Sequence, residues 1–202
     1  MTDESGTFSI LALSDEPRLI GVAVASGSTS VGARVPHAKP GVGAIATQAY
    51  TNITYGVEGL KLLATGLPPA EALNKLLKED LEREMRQVAI MDFAGRKAFF
   101  TGSLAPEWRG EIVGRDYIVI GNLLKSDKVL ESIAVEFEST GGSLAWRMAK
   151  ALEAGSVSGG DKRGEKSAAL IVANSSEIIL NLRVDMHENP VQELLLQLKT
   201  QL

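Results

Sequence analysis

Two short stretches, GVAVA (21–25) and ALIVA (169–173), are apolar at every position. A sheet with one face in water alternates apolar with polar residues, so strands like these must be covered on both faces. The segments with helical spacing are amphipathic, and each can shield only one side of a sheet. Strands come in groups followed by pairs of helices, twice over, and not in alternating βαβ order, which disfavours a doubly wound parallel sheet. The economical solution is an α+β fold: two largely antiparallel sheets packed face to face with helices outside, a four-layer α-β-β-α sandwich.

TFSILALS (7–14) and LIGVAVAS (19–26) are strand-like and flank the polar turn DEPR, and GVGAIATQA (41–49) is a third strand with Gly41 and Gly43 at its start. Val57, Leu60, Leu63 and Ala64 then share one helical face, and Pro68-Pro69 opens a second helix with Ala70, Leu73, Leu76 and Leu77 inward. QVAIMDF (87–93) and KAFFTG (97–102) form a hairpin about Ala94-Gly95, and DYIVIGN (116–122) adds a strand. Ser126 or Asp127 caps a helix carrying Val129, Leu130, Ile133, Ala134 and Phe137. Ser143 caps another with Leu144, Met148 and Leu152, expected to end at Gly155. SAALIVA (167–173) and IILNLRV (178–184) make a hairpin around NSSE, and Asn189-Pro190 starts a last helix with Val191, Leu194, Leu195, Leu198 and Leu202 inward.

A chain of 202 residues, 45% hydrophobic, is long enough for one substantial core, and reads as a single domain over 7–202 behind a short extension, 1–6. Its formal net charge of -4, with both signs interspersed, leaves no basic field for a phosphate backbone, so nucleic acid is not an expected partner. Without cysteine there is no disulfide, thiolate nucleophile or Cys-based zinc site. The start MTDESG has neither region of a secretion signal and no apolar run reaches membrane-spanning length, so the expectation is a cytoplasmic protein with no membrane partner.

Gly6-Thr7 stands directly ahead of the first strand. A threonine hydroxyl is a poor nucleophile until a base takes its proton, and the α-amine of the same residue can do so once it is free. Glycine before it lets the backbone reach conformations in which the hydroxyl attacks the preceding carbonyl, an N-to-O acyl shift leading to self-cleavage. The alternative is a frayed tail ahead of an edge-of-strand threonine.

The motifs TFSI, GVAVAS, GVGAIATQAYTN, YGVEGL, RQVAI, AGSVSGGDKRGEKSAALIV and NLRVDMHENP together resemble the family catalogued as domain of unknown function 1028, from Thr7 to the C-terminal helix. The opening strands, VGARVPHAKPGVGAIATQA and the element order also resemble the N-terminal nucleophile (Ntn) hydrolases, the superfamily that includes proteasome β-subunits. The resemblance implies that fold and brings no agreed substrate. It places the threonine right behind the initiator methionine, whereas here six residues must leave before Thr7 has a free amine.

By the same resemblance Arg34, or else Lys39, stands for a lysine that lowers the nucleophile's proton affinity. Ser26 occupies a usually acidic position, Asn122 stands where a supporting serine is found, and Asp161 with Ser167 resembles a supporting Asp and Ser. The backbone amide of Thr47 is the candidate oxyanion donor, and Gln48, Asn52 and Arg163 are candidates to hold substrate. Gln48 and Asn52 read equally as strand and turn chemistry, and Asp161 with Arg163 as a surface turn with an ion pair.

GGDKRGEKS is a near miss for a phosphate-binding loop, with Glu165 at the required lysine position and a helix-to-strand direction opposite to what the mechanism needs. GVGAIA opens a strand where a dinucleotide fingerprint would leave one. His37 and His187 are the only histidines; a metal site from Asp185, His187 and Glu188 is set aside in favour of capping ahead of Asn189-Pro190. No metal or cofactor is expected. Two functions remain: hydrolysis of an amide or related acyl bond in a small molecule or peptide by Thr7, or a non-catalytic small-molecule or protein binding module on the same fold. The apolar strands and Leu-rich last helix leave surface for a homodimer.

Overall fold

The computed structural model describes residues 6–201. Residues 1–5 of the expected extension, and the expected inward packing of Leu202, lie outside the described residues. The chain runs β1 (Thr7–Asp15), β2 (Arg18–Ser26), β3 (Pro36–Lys39), β4 (Gly43–Ala49), α1 (Thr54–Ala64), α2 (Pro69–Glu79), β5 (Arg86–Asp92) and β6 (Lys97–Thr101). It continues through β7 (Gly110–Val113), β8 (Tyr117–Asn122), α3 (Lys128–Ser139), α4 (Leu144–Val157), β9 (Ser167–Ala173), β10 (Ile178–Val184) and α5 (Pro190–Lys199). A six-stranded sheet has the order β10-β9-β2-β1-β8-β7 and a four-stranded sheet the order β3-β4-β5-β6, and every pair of neighbouring strands is antiparallel.

Period two along the strands sorts the apolar residues into layers. Leu11, Val22, Val24, Ala46, Ala89, Ile118 and Ile120 fill the space between the sheets. Phe8, Ile10, Ala23 and Val119, on the opposite face of the larger sheet, pack on α3, α4 and α5 through Ile133, Phe137, Met148 and Leu194. Ile45, Val88 and Ile90 pack outward from the smaller sheet on Leu60, Leu63, Leu73 and Leu76 of α1 and α2. The four-layer sandwich expected from the doubly apolar strands is therefore the observed fold. A large side chain fully removed from water, such as Phe8, Ile10, Leu11, Ile45 or Ile120 here, contributes roughly 1.5–3 kcal/mol.

Local signals act as expected at several ends. Asp127 caps α3 by accepting from the Lys128 amide, Ser143 caps α4 by accepting from the Trp146 amide, and Pro69 and Pro190 open α2 and α5. Other expectations are corrected. Strands β3 and β7, four residues each, are edge strands that the sequence did not announce. Val57, Ala64 and Ala70 are exposed. The inward face of α1 is instead Tyr55, Gly56, Gly59, Leu60 and Leu63, because glycines without side chains let the helix lie against β3 and β4. Helix α4 passes through Gly155 to Val157; a Cβ at 155 would stand 2.7 Å from Ile133, so this glycine is an α3–α4 contact and not a helix end. No helix among the described residues is long and apolar enough to cross a membrane.

Candidate active site

At one end of the space between the sheets the inward residues change from apolar to polar. Ser167 on β9 pairs with Ser26 on β2, Ser26 with Thr7 on β1, and Thr7 with Asn122 on β8, so four polar side chains share one rung of the larger sheet. Gln48 on β4 and Gln87 on β5 are paired directly opposite in the smaller sheet. All six are buried, Thr7 at 2% exposure.

Two of the rung's side chains, those of Thr7 and Ser26, turn to the Gly6 carbonyl oxygen. It accepts from Thr7 Oγ1 at 2.6 Å, from Ser26 Oγ at 2.6 Å and, more distantly, from Arg163 Nη2 at 3.4 Å. Thr7 Oγ1 and Ser26 Oγ are 3.0 Å apart, and Ser26 Oγ also accepts the Ser28 amide at 3.1 Å. The loop between α4 and β9 delivers Asp161 and Arg163. Asp161 is fully buried, forms an ion pair with Arg163 at 2.8 Å and accepts the Gly27 amide at 2.7 Å. This pair is thus no surface turn. Ser167 Oγ donates to the Ser28 carbonyl at 2.6 Å and accepts the Val31 amide at 3.1 Å, fixing the loop that follows β2.

On the facing sheet Gln48 does not point at open space for a substrate. Its Nε2 donates to the Thr7 carbonyl at 3.1 Å and to Gln87 Oε1 at 2.8 Å, while its Oε1 accepts from Ser9 Oγ at 2.6 Å. Asn122 Nδ2 donates to the same Gln87 Oε1 at 3.0 Å. Ser9 and Gln87 were missed in the sequence, although a signal was present: each is a polar residue at a position of period two whose neighbours, Leu11 and Ala89, fill the inter-sheet core.

Three expected roles are not met. Thr47 lies one residue from Gln48 and so faces the helices; its Oγ1 donates to the Asn52 carbonyl and its amide to the Val35 carbonyl at 3.1 Å, which removes it as an oxyanion donor in this state. Asn52 is used locally: its side chain accepts the Thr54 amide at the start of α1. Arg34 Nη2 donates to the Thr29 carbonyl and makes no hydrogen bond to Thr7. Lys39 pairs with Gly43 at the far end of β4, five residues or about 16 Å from Gln48. His187 Nδ1 accepts the Asn189 amide at 3.0 Å, in the turn ahead of α5, but no side chain caps the helix itself, so the expected capping is reduced to this turn contact; no three potential metal ligands converge among the described residues.

The model of a family described as "Family of unknown function (DUF1028)" matches residues 7–194. The chain belongs to this family. The crystal structure of the DUF1028 protein SPO2555 from Silicibacter pomeroyi aligns with it at TM-score 0.91 and 34% identity, covering 96% of this chain and 85% of that one. Anbu, the ancestral beta-subunit from Yersinia bercovieri, aligns over 97% of both chains at 14% identity and TM-score 0.46, too distant to carry an argument. No curated protein matches. The DUF1028 match opens on Thr7, the residue at the centre of the rung.

Proposed function

We propose that this DUF1028 protein is a hydrolase of an amide or related acyl bond, with Thr7 as nucleophile after self-cleavage at Gly6–Thr7. The observation that carries the reading is the convergence of Thr7 Oγ1, Ser26 Oγ and Arg163 Nη2 on the Gly6 carbonyl oxygen. Attack of Oγ1 on the Gly6 carbonyl carbon builds negative charge on that oxygen, and the Ser26 hydroxyl and the Arg163 guanidinium stabilise it. The Oγ1 proton passes to the Thr7 nitrogen as the C–N bond breaks, leaving an ester and a free amine. Water then hydrolyses the ester, releasing residues 1–6 with a carboxylate at Gly6 and restoring the hydroxyl.

In turnover the Thr7 amine takes the Oγ1 proton, Oγ1 attacks the substrate carbonyl carbon, and the proton goes on to the leaving group. Water hydrolyses the acyl-enzyme. Asp161, buried against Gly6, balances the positive charge of the amine in its protonated form. Thr7 is 2% exposed with Gly6 bonded to it, and in this mechanism a substrate carbonyl takes the place that the Gly6 carbonyl occupies.

A second reading is favoured by Gly6 itself, which is buried and held by its carbonyl: a segment that stays attached would plug the site of a non-catalytic binding module. Intact mass separates the two. The expected result is loss of Met1–Gly6 and labelling of the new Thr7 terminus by an acylating probe, both abolished in Thr7→Ala; a full-length chain that ignores such probes overturns the hydrolase reading.

A further inference from the structure

We propose that Gln87 is a positioning residue that orients the nucleophile through Gln48, an inference that rests on the hydrolase reading above. The argument starts from groups that have no choice. Gln87 Nε2 lies 2.9 Å from the Gly121 carbonyl oxygen and 3.1 Å from that of Gly110, and carbonyls can only accept. Its third neighbour, Thr101 Oγ1 at 3.1 Å, has its own proton committed to Glu111 Oε2, so it too accepts. Three acceptors on one side fix the amide nitrogen there and turn Gln87 Oε1 toward Gln48 and Asn122. Facing an acceptor, Gln48 must present its NH2 group. One proton goes to Gln87 Oε1 and the other to the Thr7 carbonyl, while Ser9 satisfies the remaining oxygen.

The orientation of the Thr7 peptide is therefore dictated from the backbone of β7 and β8 across the gap between the sheets. Gln87 touches neither Thr7 nor the Gly6 carbonyl; it acts by leaving Gln48 one permissible orientation. Inverting either amide would set oxygen against oxygen at a fully buried site, where an unmade hydrogen bond is most costly.

The test compares Gln48→Met, Gln87→Met, the double variant and Gln87→Glu. Two quantities are measured: the rate of loss of residues 1–6 by intact mass, and amide hydrogen exchange of segment 7–13 in the same proteins carrying Thr7→Ala, where no cleavage occurs. Each Met variant is expected to slow cleavage and to speed exchange of the segment by about tenfold, with the double variant no worse than Gln48→Met alone. Gln87→Glu is expected to match the unsubstituted protein at low pH, where the introduced carboxyl can still donate to the Gly121 carbonyl, and to fall behind it as pH rises and the proton is lost. Multiplicative effects in the double variant, or unsubstituted rates in Gln87→Met, overturn the proposal. If the Met variants do not fold, the pH profile of Gln87→Glu decides, and a flat profile counts against the relay. If the unsubstituted chain never loses residues 1–6, the hydrolase reading fails while the exchange data still judge the relay.

Discussion

Gly6 carries no side chain because none would fit: a Cβ there would stand 2.5 Å from Asp161 Oδ2. Gly27 is hemmed in similarly, its Cβ position 2.7 Å from both Asp161 Oδ2 and Arg163 Nη2. The two glycines bracket the buried ion pair, and space around it, in addition to the backbone freedom that sequence alone suggests, explains the glycine ahead of Thr7. Gly6→Ala is accordingly expected to push the carbonyl away from Ser26 and to slow appearance of the Thr7 terminus, measured by intact mass over time. Ser26→Ala removes one donor to that carbonyl and also takes the acceptor from the buried Ser28 amide, so some stability is lost with it, and its cleavage rate should drop by about 10²-fold. Much of the site was legible at this scale. Thr7 stands out by its chemistry, Ser26, Asn122, Asp161 and Ser167 by the resemblance to the Ntn hydrolases, and Arg163 only as a candidate to hold substrate or to pair with Asp161. Thr47 does not serve as an oxyanion donor because the alternation of the strand puts it on the helix side, and Gln87 is marked in the sequence only by its polar character at an inward position of period two, with no motif beside it.

At the level of elements, helix α1 shows why its face was misread. Counting apolar side chains selects Val57 and Ala64, but the helix approaches the sheet through Gly56 and Gly59. Alanine in place of either gains about 1 kcal/mol of helix propensity. At Gly56 the added methyl would overlap the His37 ring, and overpacking of that kind costs about 1–3 kcal/mol. At Gly59 the one close approach is the flexible tip of Ile45, at 2.6 Å, with Leu76 and Ile90 at ordinary contact distance. Denaturant unfolding should therefore find Gly56→Ala less stable than the parent and Gly59→Ala close to it. Strands β3 and β7 escaped notice for a different reason: they are short, partly exposed edges whose pairing partners supply the order.

The end of α2 is tied to β5 by Asp80 and Arg86, 2.9 Å apart and each 10% exposed. Burial by itself would raise the Asp80 pKa, yet hydrogen bonds from Arg86 and the Glu82 amide hold it at about 2, against 3.8 in the unfolded chain. Ionised Asp80 thus favours the folded state above pH 3.8, and that contribution drains away as pH falls through about 2. Asp80→Asn should lose about 1 kcal/mol at neutral pH, after allowance for solvent screening, and show a flatter decline in stability between pH 4 and 2, as followed by urea unfolding across that range.

For the molecule as a whole, the layer between the sheets is built largely from alanine near the smaller sheet: Ala44, Ala46 and Ala89 are fully buried, and Ala46 sits directly across from Ala89. Small side chains there meet larger ones, Leu11, Ile118 and Ile120, from the other sheet. Ala46→Leu should wedge this layer and cost about 1–3 kcal/mol, read as a lower urea midpoint with an unchanged slope. The layering itself was the most legible property of the sequence, because strands apolar on both faces admit few coverings. How the sheets meet at their polar end was not, since it depends on which rungs align.

That alignment carries a consequence for Thr7. It precedes Phe8, whose ring belongs to the helix-side core, and both neighbouring strands hold β1 in register over most of its length. Sliding β1 by a single residue would drive the aromatic ring in among the serines and swing the hydroxyl out beneath the helices, with Ile10 and Leu11 misplaced in step. The aim of one oxygen atom is thus enforced by oily neighbours that never take part in its chemistry.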